Sequence, residues 1–215
     1  MKFPLLAAAC FPLFATALSG CASRGEIDAT GGITAVRSAC PSVAVPANTG
    51  DVTLFDPVGS TDATAIDVTA TMTDVRSTCD DSGAQVQTAV TFTVLAARTR
   101  TEAPRDVTLP YFLAVVQGGN AVVAKRVGQV VLHFGAGQRR AEVAGRASAQ
   151  VDRAAATLPP EVRQRLTRKR KAGEEDAATD PLSAPEVRQA VLRATFEALV
   201  GFQLTDAQLR YNATR

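Results

Sequence analysis

The chain has 215 residues, 46% of them hydrophobic, and sets 23 lysines and arginines against 21 aspartates and glutamates. That near balance gives no support for nucleic acid as a partner. A single histidine excludes a metal site built on several imidazoles.

Lys2 stands ahead of Phe3 to Leu18, an uncharged apolar run broken by Pro4 and Pro12. It is too short to span a hydrocarbon layer of ~30 Å comfortably as a permanent helix. It has instead the layout of a secretory leader, which is removed. Leu18-Ser19-Gly20-Cys21 resembles the lipobox of bacterial lipoproteins. The resemblance implies cleavage between Gly20 and Cys21 and a thioether-linked diacylglycerol on the Cys21 thiol, with palmitate or similar chains. Burial at about 0.8 kcal/mol per CH₂ makes one chain a marginal anchor and two or three a practically permanent one. The plainer alternative is an ordinary leader with a cysteine near its end. In the lipoproteins that this stretch resembles, an Asp after the cysteine tends to retain the protein at the inner membrane. Ala22 and Ser23 follow here, which implies the periplasmic face of the outer membrane.

Residues 1–20 therefore read as a lipoprotein signal peptide, 21–39 as a flexible tether rich in Ser, Gly, Thr and Ala, and 40–215 as one domain. Cys10 leaves with the leader and Cys21 carries lipid, so Cys40 and Cys79 remain as an even pair in an oxidising compartment. A disulfide between them is expected; two free thiols or a redox pair are the alternative.

Pro41 to Pro46 suits an edge strand, and Val52 to Phe55 is a second short candidate. Ile66, Val68, Ala70 and Met72 alternate with Asp67, Thr69, Thr71 and Thr73, as in a strand with one buried face. Val86, Val90, Phe92 and Val94 repeat the pattern, and Cys79 to Gly83 between the two runs reads as the turn of an antiparallel pair. Asp80, Asp81 and Ser82 offer calcium-type oxygens, but without the surrounding spacing of a calcium loop they read as a solvated turn. Val107–Gln117 and Ala121–Phe134, the most apolar segments, are expected as central strands joined at Gly118-Gly119-Asn120. Ala141 to Val151 alternate once more.

At Pro159-Pro160 the period lengthens. A charged insertion over 159–184 is expected, with a helix running from Pro160 through Lys171 that rests lightly on the body, then a disordered stretch from Gly173 to Ala184. Residues 185–204 admit two readings. A short helical start with a strand from about 192 is favoured over a helix continuing to Leu199, because seven apolar positions from Leu192 to Leu204 keep strict alternation. Thr205-Asp-Ala-Gln208 has capping-box spacing and should open a short helix through Leu209.

Seven or eight strands with helices only late in the chain indicate an all-β antiparallel β-sandwich of immunoglobulin-like architecture, with a closed barrel as the runner-up. The Cys40-Pro41 start, Pro110-Tyr111-Phe112 ahead of Leu113 to Val116, and Gly201 to Thr205 followed by Gln208-Leu209 and Tyr211-Asn212 resemble a group of alphaproteobacterial lipoproteins. That resemblance supports the class and supplies no mechanism.

No catalytic residue, cofactor or metal site is assigned. A triad through His133 is the alternative reading, but its parity with Val123, Val127 and Val131 fits a strand histidine better. Arg163, Arg165, Arg168, Lys169, Arg170 and Lys171 form the one dense charge cluster. It reads either as a contact for anionic headgroups or as a solvated helix answered by Glu174, Glu175 and Asp176. The expected function is a lipid-anchored structural or protein-interaction module of the cell envelope that presents a sandwich surface or edge strand to an envelope protein or to the wall. The alternative is a periplasmic ligand carrier or enzyme with a pocket between the sheets.

Overall fold

The computed structural model describes residues 38–168, 173 and 179–214. Eight strands are found among them: β1 (Ser42–Ala44), β2 (Asp51–Phe55), β3 (Ile66–Asp80), β4 (Gln85–Arg98), β5 (Arg105–Gln117), β6 (Ala121–Phe134), β7 (Arg140–Asp152) and β8 (Phe196–Phe202). They form two four-stranded sheets, in the orders β1-β8-β5-β6 and β2-β3-β4-β7. Every pairing is antiparallel except that of β1 with β8. The fold is the expected antiparallel β-sandwich.

Alternation explains the layers. Val68, Ala70 and Met72 of β3, with Val86, Val90, Phe92 and Val94 of β4, face Val107, Leu109, Leu113 and Val115 of β5 and Ala198, Val200 and Phe202 of β8 in one core cluster. Each such Val, Leu or Phe contributes about 1.5–3 kcal/mol on burial. β3 outlasts the turn expected at Cys79. It runs to Asp80, opposite Gln87, after a register shift between Thr73 and Arg76 with Asp74 at φ +51°. The Asp80 carboxylate then accepts from the Ser82 amide and hydroxyl at 2.9 and 2.7 Å, so the turn closes on itself.

One side of the sandwich is shut by two aromatic rings and two glycines. The Tyr111 and Phe92 rings meet edge to face at 5.0 Å, and the Tyr111 hydroxyl donates to the Arg146 carbonyl of β7 at 2.6 Å. A Cβ on Gly128 would lie 2.5 Å from the Tyr111 ring, and one on Gly145 would lie 2.2 Å from the Phe92 ring. The rings therefore occupy the space where side chains of β6 and β7 would stand.

Beyond that closure β6 departs from expectation. It is the margin of its sheet, not a central strand, and residues 121–127 are exposed on both faces. Its apolar composition there reflects no burial, since Val122, Val123 and Val127 all lie open to solvent.

The late helices are α1 (Pro160–Thr167), α2 (Pro185–Ala194) and α3 (Asp206–Thr214). α1 ends at Thr167, short of the expected Lys171. Val162 of α1 packs with Val187, Ala190 and Val191 of α2 and with Leu158, Leu166 and Leu182 in a small second cluster. The segment expected to be disordered holds a 3-10 turn at Pro181–Ser183, N-capped by Asp180. α2 overruns the expected strand start at 192, and β8 begins at Phe196. Leu192 and Ala194 matched the strand alternation by coincidence: they belong to the last helical turn, and Leu192 is exposed. α3 opens with the expected capping box, Gln208 Oε1 accepting from the Thr205 amide at 2.9 Å and Thr205 Oγ1 accepting from the Gln208 amide at 3.3 Å. It continues to Thr214, past Leu209, because Asn212 Nδ2 donates to the carbonyls of Asn48 and Asp51 at 2.9 and 2.7 Å.

Candidate functional site

Cys40 and Cys79 are joined, with S–S 2.07 Å and Cα–Cα 6.0 Å. The bond ties the residues just ahead of β1 to the far end of β3. Gly20 and Cys21 lie outside the described residues, as do Lys169, Arg170 and Lys171 of the basic cluster. Arg163 and Arg165 stand on α1, and Arg168 follows it. Arg163 Nη2 donates to the Leu158 carbonyl at 3.3 Å, and Arg165 pairs with Glu186 of α2 at 3.1 Å. Where Glu174, Glu175 and Asp176 were expected to answer these charges, Glu186 answers Arg165; the other three lie outside the described residues.

His133 is on the outer face of β6 with 74% of its side chain exposed. Its Nδ1 lies 2.7 Å from Oδ1 of Asp106, its cross-strand neighbour on β5. Among the described residues no nucleophilic hydroxyl or thiol bonds to the ring. No group of three or more potential metal ligands is found among the described residues either.

The strongest convergence of charge lies elsewhere, on residues without a sequence signal of their own. β2, the start of β3 and the start of β5 meet at one end of the sandwich, with α3 alongside. Asp67, placed by its alternation on the polar face of β3, is only 5% exposed. Arg105 covers it with Nη1–Oδ1 at 3.0 Å and Nη2–Oδ2 at 2.6 Å. The Arg105 hydrogen bonds are the main reason its carboxyl is held below the usual 3.8, against the opposing effect of burial, with Arg100 adding a smaller pull. Arg100 Nη2 reaches Asp67 Oδ1 at 3.3 Å and bonds to Asp56 as well.

The loop between Arg100 and Arg105 is held by Arg98, a residue 3% exposed that bonds to no carboxylate among the described residues. Its Nε donates to the Gln138 carbonyl at 2.9 Å, Nη1 to Ala103 at 2.8 Å, and Nη2 to Gly135 and Thr101 at 2.7 and 3.3 Å. Its guanidinium carbon lies 5.1 Å from the Phe134 ring centroid. Four carbonyl dipoles and a ring face thus solvate the buried cation. They also tie the loop that carries Arg100 and leads to Arg105 onto the turn after β6.

Beside this network runs a groove of about 560 Å³. Leu54, Phe55, Val58 and Tyr211 line it, with Thr53 among the lining residues. Phe55 and Tyr211 meet edge to face at 5.1 Å, locking α3 to β2. The Thr53 hydroxyl is buried and has no hydrogen-bond partner among the described residues. No family model, curated protein or solved structure matches this chain.

Proposed function

We propose that the chain is a lipid-anchored lipoprotein of the cell envelope that acts as a structural or protein-interaction module and not as an enzyme. In this reading signal peptidase cuts before Cys21, the acylated thiol holds the chain at the periplasmic face of the outer membrane, and the β-domain presents a surface to another envelope protein. The 18 residues between Cys21 and Cys40 reach at most about 60 Å, enough to carry the domain clear of the headgroups. The Cys40–Cys79 disulfide suits an oxidising compartment.

The observation that carries the interaction role is the outer half of β6. Residues 121–127 pair with β5 on one side, hydrogen-bond to no described strand on the other, and expose Val122, Val123 and Val127. A sheet margin of this kind offers unpaired backbone groups and apolar side chains to an added strand, while Lys125 and Arg126 discourage uncontrolled self-pairing. A photo-crosslinking residue at position 123 of the full chain, in its own envelope, should capture a discrete protein band that the same residue at position 69, on the exposed face of β3, does not. Identical products from both positions, or none from 123, would reject the β6 surface as the point of contact.

A further inference from the structure

We propose that the groove beside α3 binds a small carboxylate with an apolar body. The inference is independent of the lipid anchor and of the β6 surface, since it stands on three features of the groove itself. Its volume of about 560 Å³ falls in the range of small-ligand sites. Its walls are apolar and held in place: Phe55 and Tyr211 lock edge to face, and Asn212 pins α3 to the carbonyls that flank β2. Val58 at the rim is 96% exposed, a large apolar side chain that no described residue covers.

The third feature is the set of spare donors on Arg100, which points to a carboxylate as the ligand's polar group. Asp67 is buried and held by both oxygens, and Asp56 is already paired with Arg100. No carboxylate of the network is left for a cation. Arg100 spends only Nη2 on its two partners, so its Nε and Nη1 reach no acceptor among the described residues. Its side chain is half exposed beside the apolar wall. A planar guanidinium with donors to spare selects a carboxylate, while the rings and Val58 take the hydrocarbon.

Calorimetry of the chain purified from its own envelope tests this with 4-phenylbutyrate and the neutral 4-phenylbutanol. The acid should saturate below the millimolar range, with the alcohol about tenfold weaker. Arg100→Gln should bring the acid down to the alcohol's level; it leaves the Asp67–Arg105 pair intact, so the fold is kept. The proposal is overturned if the acid fails to saturate at millimolar concentration, if acid and alcohol bind alike, or if Arg100→Gln leaves the acid's affinity unchanged.

Discussion

Asp67 shows how one buried charge sets the behaviour of this end of the sandwich. Its carboxyl titrates below 3.8 because Arg105 donates to the ionised form. A carboxylate depressed in the folded state contributes stability that is fully present above its unfolded pKa and lost as pH falls through the folded value. The chain should therefore lose stability as pH drops below about 4, and Asp67→Asn should flatten that part of the curve. At neutral pH the same substitution should cost about 2 kcal/mol, because Arg105 loses the negative charge and one of its two acceptor oxygens. Melting temperatures of both chains from pH 7 to pH 3 check this; parallel curves would show that the pair does not couple to folding. Asp67 was invisible in the sequence because alternation reports which face of a strand a residue occupies and not what crosses over that face. Arg98 was hidden for a related reason: a cation solvated by four carbonyls needs no acidic residue at any fixed spacing.

Strands and helices were legible where one rule acted alone. The β3, β4 and β7 runs alternate because one face is buried, and the capping box of α3 stands where Thr205 and Gln208 place it. Two rules overlapped at α2 and β8. Residues 192–204 keep alternation across a boundary at which the backbone changes from helix to strand, and Pro185 at the first helical position was the better guide. At β6 composition misled, since the outer half of the strand is apolar without being covered. Inward of it, the Tyr111 and Phe92 rings stand where side chains at Gly128 and Gly145 would be. Phe92 is 2% exposed and cannot swing aside when a methyl group is added at Gly145. Gly145→Ala should cost about 2 kcal/mol, measured by denaturant titration. A cost near zero would mean that the rings do not fill that space.

For the whole molecule, the domain and its attachment are separate problems with separate solutions. The sandwich core holds the fold, and the Cys40–Cys79 bond closes a loop of 39 residues, worth roughly 4 kcal/mol on a chain-entropy estimate. Against a typical total of about 5–15 kcal/mol that is a large share, which fits a domain working where thiols stay oxidised. The fold was legible at this scale from strand count and spacing. The groove was not, because its walls come from β2, the loop after it and α3, segments joined only by the tertiary structure. Attachment is carried, in our proposal, by Cys21 alone. Its direct test is intact and peptide-level mass analysis of the protein made in its own envelope. The account predicts a chain that starts at Cys21 and bears diacylglycerol on that thiol. A chain that retains residues 1–20, or whose Cys21 carries no lipid, would contradict it.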